Sequence, residues 1–178
     1  DAVRVEKKKN GNYILEVHIA DVSYYVKEDC LLDREALIRG TSIYMLGRVI
    51  PMLPRELSNG ICSLNQGEDR FTLSCIMEIN NKGQVISSDI VKGIINVTKR
   101  MTYTDVQKII DKSDKDVLEK YKEYIDDFNQ MAELAKILRA KRYEQGYLNL
   151  DIPESKIDLD INGKPINVKK YENYFSNE

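Results

Sequence analysis

Apolar side chains occupy every second position from Phe71 to Ile79, and this alternation constrains the fold more than any other feature of the sequence. Because successive side chains of a strand point to opposite faces of a sheet, a period of two over this length predicts a β-strand. The turn-forming residues Asn-Asn-Lys-Gly follow at 80–83, and an apolar-rich stretch runs from Val85 to Val97. The region therefore predicts a long antiparallel hairpin.

Two further segments show the same hairpin signature. Residues 2–20 contain two alternating stretches around an Asn-Gly dipeptide at 10–11, and residues 157–168 repeat the pattern around Asn-Gly at 162–163. Asn-Gly is the strongest short-range signal for a tight hairpin turn, because both residues tolerate a positive φ. Hairpins instead of right-handed crossovers indicate antiparallel strands.

Helical patterns lie between these hairpins. Asp33 is a candidate N-cap for a short helix, another short helix is expected after Thr104, and apolar residues repeat at three and four positions from Asp116 to Gly146. Together with the hairpins, this predicts an α+β fold: an antiparallel sheet with a long amphipathic helix. No linker divides the chain, so we expect one domain over 1–178.

Composition excludes several classes of protein. Of the 178 residues, 42% are hydrophobic, which suffices for a core, yet no apolar run approaches the length of a membrane span. The chain begins without Met, so we expect it to be cut from something longer. The three cysteines, Cys30, Cys62 and Cys75, have no disulfide or zinc spacing, which favours a reducing, cytoplasmic setting.

Charge does not suggest a partner. There are 27 Lys and Arg residues against 29 Asp and Glu residues, and no basic stripe is visible. The single histidine, His18, lies on the opposite strand face from its apolar neighbours and is interpreted as structural, because the sequence shows neither a nucleophile nor an orienting acid for it. The string at 158–163 copies the start of an EF-hand loop, but Lys169 replaces the required Glu, so we expect a plain hairpin turn.

A series of longer strings is more informative than any of these patterns. They occur in the order found in one family: Asp1-Ala2-Val3, His18-Ile19-Ala20-Asp21-Val22-Ser23, Leu32-Asp33-x-Glu35-Ala36, Arg39-Gly40-Thr41-Ser42, Val49-Ile50-Pro51-Met52-Leu53-Pro54-Arg55-Glu56-Leu57-Ser58-Asn59-Gly60, Leu73-Ser74-Cys75, Arg100-Met101-Thr102-Tyr103-Thr104 and Gly146…Pro153-Glu154. The chain resembles the catalytic domain of the ribonuclease R and ribonuclease II (RNB) family over nearly its whole length.

The resemblance implies a magnesium-dependent 3′→5′ exoribonuclease that releases nucleoside 5′-monophosphates from the 3′ end of single-stranded RNA. The family places four aspartates in one short segment, and Asp1 matches only the fourth of them. Asp1 is thus the predicted catalytic and metal-binding residue, while the other three aspartates and a later histidine-containing motif would lie outside residues 1–178. We therefore expect an internal fragment whose parent is active and which is itself inactive.

Two tyrosines match family positions that contact RNA. Tyr44 matches the tyrosine that stacks on the 3′-terminal base, and Tyr103 matches a second tyrosine near the scissile end. Ordinary packing is the alternative for each. In the family a second aromatic residue completes the base clamp, but Leu150 occupies the matching position here. A two-sided clamp is therefore expected only if Tyr147 substitutes for that aromatic.

Four arginines in the matched strings are candidate phosphate contacts: Arg39, Arg48, Arg55 and Arg100. Asp21 is interpreted as a hydrogen-bond acceptor. Two other functions stay open for the chain itself, namely a non-catalytic RNA-binding piece and a structural or protein-interaction domain.

Overall fold

The structure, a computed structural model, describes residues 1–148, 155–170 and 175. Its strands are β1 Ala2–Lys7, β2 Tyr13–Ala20, β3 Ile43–Met45, β4 Arg48–Ile50, β5 Asp69–Ile79, β6 Val85–Asn96, β7 Ser155–Leu159 and β8 Pro165–Lys170. Its α-helices are α1 Val22–Tyr25, α2 Leu31–Arg39, α3 Tyr103–Asp111, α4 Lys115–Lys120 and α5 Ile125–Glu144. A π-helical turn spans Glu56–Ile61 and a 3₁₀ turn spans Lys122–Tyr124.

The predicted α+β class is confirmed, since every strand pair between these elements is antiparallel. The chain divides into two compact units. Among the described residues, the first unit comprises 1–20, 64–148 and 175, and the second comprises 21–63 and 155–170. No helix of the described ranges is long and apolar enough to cross a membrane.

A four-stranded sheet in the order β1-β2-β5-β6 forms the framework of the first unit. The hairpins predicted at 2–20 and 71–97 are confirmed and supply all four strands. Gly83 closes the turn between β5 and β6 with a φ of 71°. A Cβ there would lie 3.3 Å from Cδ of Lys141, whose Nζ donates to the Gly83 carbonyl at 2.7 Å, so the turn packs closely on α5.

The core of this unit lies between one end of the sheet and α5. Its buried residues are Val5, Tyr13, Ile79 and Leu134, and the half-buried residues packed on them are Leu15, Met77, Met131, Ile137 and Leu138. Polar contacts join β1 to the helix at the rim: the Lys7 amide donates to Oε1 of Gln130 at 2.8 Å, and Lys7 Nζ pairs with Glu133 at 2.7 Å.

The other end of the same sheet face is uncovered. Leu73 is 45% exposed although it belongs to the clearest alternating strand, and four apolar residues on the same face are exposed as well: Val3, Ile19, Ile90 and Ile94. On the opposite face, Thr72 and Ser74 are buried. The alternation therefore predicts the strand correctly, but it does not tell which face is covered along its length.

The helices of the first unit are more divided than expected. Thr102 caps α3, accepting from the Asp105 amide at 3.2 Å, and Asp114 caps α4. The prediction of one helix from Asp116 to Gly146 is wrong, because α4 ends at Lys120 and α5 begins at Ile125. The break between α4 and α5 lies at the buried Tyr121. Its hydroxyl donates to Asp105 of α3 at 3.2 Å and so links this break to α3.

The second unit combines α1 and α2 with two small hairpins. The N-cap of α2 is Cys30, whose Sγ accepts from the Asp33 amide, so the prediction of Asp33 as N-cap is wrong. Asp33 instead lies in the first turn, and its carboxylate accepts from the Asp29 amide at 3.0 Å, a favourable place for a negative charge.

The hairpin of β7 and β8 confirms the prediction for 157–168. Gly163 turns the chain with a φ of 77°, and Asp160 Oδ1 accepts from the amides of Asn162 and Lys164. Asp158 pairs with Lys169 at 2.6 Å. The two carboxylates of the EF-hand-like string thus stabilise the hairpin, which is the expected plain turn.

Candidate functional site

Tyr44 projects from a short hairpin of the second unit. It lies on β3 opposite Val49 of β4, and Gly47 closes the turn with a φ of 69°. A Cβ on Gly47 would lie 3.2 Å from Leu159, so the turn rests closely against β7. Tyr44 is 80% exposed, so most of its side chain is accessible on a backbone-paired support. The structure therefore places Tyr44 on the surface and not in a core.

Arg39 lies at the end of α2 and has two partners. Its Nε donates to Oε1 of Glu35 at 2.9 Å and its NH1 donates to the Pro51 carbonyl at 3.0 Å. Ser42 adds a third link, because its Oγ accepts from the Met52 amide at 2.9 Å. The Arg39–Pro51 bond joins the apolar loop 51–54 to α2, beside a shallow cavity of about 100 Å³. If Arg39 contacts a phosphate, it must do so while it keeps its bonds to Glu35 and Pro51.

The other two predicted arginines of this unit, Arg48 and Arg55, are exposed. Arg48 pairs with Met45 in the hairpin, whereas Tyr44 pairs with Val49, so the Tyr44 and Arg48 side chains leave opposite faces of the two strands. Arg55 directly precedes the π-helical turn. Tyr44 and Arg48 therefore lie on the same hairpin but on opposite faces of it.

The remaining predicted site residues belong to the first unit. Asp1 is exposed and immediately precedes β1. Tyr103 is the exposed first residue of α3, and Arg100 lies just before it, with its amide donating to Oε1 of Gln66 at 3.1 Å. Of the two candidates for the second clamping aromatic, Leu150 lies outside the described residues and Tyr147 follows α5.

The described residues do not form a metal site by themselves. No group of three or more His, Cys, Asp or Glu side chains comes together in the ranges 1–148 and 155–170 or at 175. Magnesium prefers an octahedral shell of oxygen ligands with one or two protein carboxylates and further oxygens from phosphates and water. Asp1 offers one such carboxylate, so these residues do not fit a complete magnesium centre.

A partly buried polar network surrounds His18, and sequence reasoning missed it. His18 Nδ1 and Ser74 Oγ lie 2.7 Å apart, Thr72 Oγ1 lies 3.0 Å from the same hydroxyl, and His18 Nε2 is 3.5 Å from Glu16. Arg4 pairs with Glu16 at 2.6 Å. A serine and an acid thus flank the histidine, but Ser74 is buried and its hydroxyl is shared with Thr72, so no nucleophile is presented to a substrate.

The network follows from strand register. His18 of β2 lies opposite Ser74 of β5, a pairing between residues far apart in the sequence. Asp21, in the second unit, is buried as well, and its carboxylate accepts from the Ser23 hydroxyl, in agreement with the interpretation of Asp21 as an acceptor.

Comparison with known proteins identifies the family. The RNB domain family matches residues 1–178, so the chain belongs to the RNB family. Ribonuclease R 1 of Lactococcus lactis is 49% identical over 170 residues, which cover 96% of this chain and 21% of that protein. Ribonuclease R of Thermotoga maritima is 47% identical over 169 residues, covering 94% and 24%. Ribonuclease R of Escherichia coli is 42% identical over 156 residues, covering 88% and 19%.

Solved structures share the fold. RNase R of Mycoplasma genitalium in complex with ribose-methylated single-stranded RNA matches 99% of this chain and 27% of its own, with a TM-score of 0.89 and 28% identity. Yeast Ssd1, a pseudonuclease, covers 80% of this chain and 16% of its own, with a TM-score of 0.66 and 19% identity, which shows a common fold alone. This chain therefore spans between 19% and 24% of the length of the three relatives above.

Proposed function

We propose that residues 1–178 are part of one catalytic domain of a hydrolytic 3′→5′ exoribonuclease that releases nucleoside 5′-monophosphates from RNA. The observation that carries this proposal is the RNB family match, which extends over the entire chain. Relatives at 42–49% identity are named ribonuclease R, and the similar Mycoplasma genitalium protein has been solved with single-stranded RNA. The substrate we propose is the 3′ end of single-stranded RNA, in the cytoplasm and away from membranes.

Tyr44 is the residue to which we assign the terminal base. An exposed ring on a paired hairpin can stack on any base, which suits an enzyme that must accept every nucleotide in turn. One such stack contributes about 1–3 kcal/mol and is indifferent to sequence. Tyr103 is assigned to the nucleotide at the scissile end. The proposed phosphate contacts are the exposed guanidinium groups of Arg48, Arg55 and Arg100, and also Arg39.

The proposed reaction depends on magnesium, with Asp1 as one carboxylate ligand. When bound, the metal would activate the attacking water and neutralise charge on the leaving oxygen. By the family pattern, in which Asp1 matches the last of four clustered aspartates, the further carboxylates would come from outside these 178 residues. This division of the ligands leads us to propose that the 178-residue chain alone is inactive.

A second candidate function is RNA binding without catalysis. It is favoured because this sequence matches one of the four family aspartates, Asp1, and because the RNB-like fold also occurs in a protein that is a pseudonuclease. A fold by itself does not imply an activity, so catalysis has to be tested on the protein.

The test uses the full-length protein with 5′-labelled single-stranded RNA and magnesium. The proposal predicts that the labelled strand shortens in steps from its 3′ end, that nucleoside 5′-monophosphates accumulate, and that a chelator stops both. A DNA oligonucleotide of the same sequence is the control. Internal fragments, or salt-sensitive binding with no degradation, would contradict the exoribonuclease proposal, and the second outcome would favour the non-catalytic alternative.

A further inference from the structure

The C-terminal end of α5 carries two exposed tyrosines in a fixed arrangement. The rings of Tyr143 and Tyr147 meet edge to face, with centroids 5.7 Å apart and an interplanar angle of 78°. They are 45% and 49% exposed. Gly146 has a φ of 87°, and the Tyr147 amide donates to the Arg142 carbonyl at 3.0 Å, so the chain folds back over the helix end. The backbone therefore positions the second ring beside the first.

Two arginines accompany these rings. The Arg139 guanidinium lies 5.6 Å from the Tyr143 centroid, and its NH2 donates to the Tyr143 hydroxyl at 3.3 Å. Arg142 lines an open cavity of about 380 Å³ together with Gln145, Gly146 and Tyr147. Small-molecule sites typically measure about 300–1,000 Å³, so a nucleotide fits in size.

Local charge also favours an anion at this end of the helix. Residues 139–147 contain three basic side chains and one carboxylate, Glu144. Lys141 donates to the Gly83 carbonyl. Arg142 is the basic side chain that lines the cavity. The combination of exposed aromatic rings and guanidinium groups is the chemistry by which proteins hold single-stranded nucleic acid without reading its sequence.

We propose that Tyr143, Tyr147, Arg139 and Arg142 form a second stacking site for single-stranded RNA, in which a base packs on Tyr147 and a neighbouring phosphate pairs with Arg142. This inference rests on the proposed RNA-directed function and assigns Tyr147 to a separate site, in the unit that does not contain Tyr44, and not to the clamp on the terminal base. Tyr147 is half exposed and lines the cavity, where a base can reach its ring, and Arg139 holds the Tyr143 ring in place.

The chain contains a matched control. Tyr24 and Tyr25 also meet edge to face, at 5.1 Å and 78°, Tyr24 is 49% exposed, and Lys27 lies 5.3 Å from its ring centroid. Residues 21–29, however, carry three carboxylates against this one lysine. The two pairs thus share ring geometry and differ in the sign of the surrounding charge, so only the pair after α5 is suited to a phosphate backbone.

The first experiment locates RNA on the full-length protein, with EDTA present so that no RNA is consumed. An oligouridine containing 4-thiouridine is cross-linked by light, and the modified peptides are identified by mass spectrometry. We expect a cross-link within 139–147 and none within 21–29. Cross-links that occur only elsewhere, for instance at 43–50, would overturn this site and leave the exoribonuclease proposal intact.

The second experiment measures affinity by fluorescence anisotropy with a short labelled oligouridine under the same conditions. Tyr147→Ala should bind about five-fold or more weakly, while Tyr147→Phe and Tyr24→Ala should bind like the wild type. Arg142→Gln should make the salt dependence shallower by about 0.7 in the log-log slope. Thermal melts show whether each variant is folded. If a folded Tyr147→Ala protein retains wild-type affinity, or if Tyr24→Ala weakens binding equally, the site is refuted; the degradation assay judges the exoribonuclease proposal independently.

Discussion

Replacing Tyr44 by alanine should weaken the hold on RNA ends while leaving the fold intact. Because the residue is 80% exposed, its truncation removes little buried area, and a surface change of this kind alters the free energy of unfolding by no more than about 0.5 kcal/mol. The lost base stack is worth about 1–3 kcal/mol, or roughly one to two decades in affinity for a short RNA end. The loss in binding should therefore exceed the loss in stability.

The assay follows the length of the end-products on a denaturing gel. A long RNA retains its backbone contacts, so the full-length Tyr44→Ala protein should still degrade it but should release it early and leave longer end-products. Tyr44→Phe should behave nearly like the wild type, because the aromatic face remains. Tyr13→Ala is the control for a packed tyrosine: Tyr13 is 1% exposed, and its truncation should cost about 3–5 kcal/mol of stability and lower all activity without changing product length.

Two results would refute this reasoning. Unchanged end-products from a well-folded Tyr44→Ala protein would end the stacking assignment. A fall in melting temperature as large as that of Tyr13→Ala would show that the Tyr44 ring is packed in the intact protein.

Four further outcomes are expected. The 178-residue chain with magnesium should release no nucleoside 5′-monophosphates from single-stranded RNA, measured by chromatography against a no-enzyme control, because Asp1 is the one family aspartate that its sequence matches. Leu134→Ala should lower the free energy of unfolding by about 2–5 kcal/mol in urea titrations, while Leu37→Ala, at an exposed position of α2, should change it by about 0.5 kcal/mol or less. Ser74→Ala should cost about 1–3 kcal/mol of unfolding free energy by the same measurement, since it removes the hydrogen-bond partner of Nδ1 of the half-buried His18 imidazole. The hydrogen bond from Lys108 lowers the pKa of the Asp114 carboxyl below its usual 3.8. The ionised carboxylate therefore stabilises the fold above that pH, and this contribution is lost as the pH falls further. Asp114→Asn retains the cap, so its melting temperature should fall less between neutral and acid pH than that of the wild type.

Each of these expectations has an opposing result. Chelator-sensitive monophosphate release by the short chain would show that its metal site is made differently. Equal losses of unfolding free energy for Leu134→Ala and Leu37→Ala would show that Leu134 is not in the core. An unchanged free energy of unfolding for Ser74→Ala would show that the Ser74 bond to His18 does not stabilise the fold. If the melting temperature of Asp114→Asn falls at acid pH as much as that of the wild type, other carboxylates cause the acid sensitivity.

Local patterns predicted the strands and turns of this fold well. The Asn-Gly turns at 10–11 and 162–163 and the alternation at 71–79 are each decided by residues near one another in sequence, and all three hairpins form where expected. The N-cap of α2 was misplaced because Cys30 is a weak capping residue, whereas Asp33 is a strong one that here occupies the first turn.

Features that depend on distant partners were not predictable in this way. The His18 network requires the register of β2 against β5, and the break at Tyr121 requires the position of Asp105 on another helix. For the site, the exposed placement of Tyr44 agrees with its predicted role, but the partners of Arg39 and the opposite directions of Tyr44 and Arg48 follow from hairpin pairing that the motif does not encode. The assigned roles of Asp1, Tyr103 and the arginines remain predictions.

The uncovered sheet face has a consequence for handling the chain in solution. In the described part of the chain, β6 is an edge strand of twelve residues, and Ile90 and Ile94 are exposed beside its unpaired backbone groups. Long apolar edges are templates for strand-to-strand association, and natural proteins guard them with charged side chains. Asp89 and Lys92 are the charges on this strand, one on each face. We therefore expect these two side chains to oppose aggregation during purification, and neutralising either should favour precipitation even where the fold is untouched.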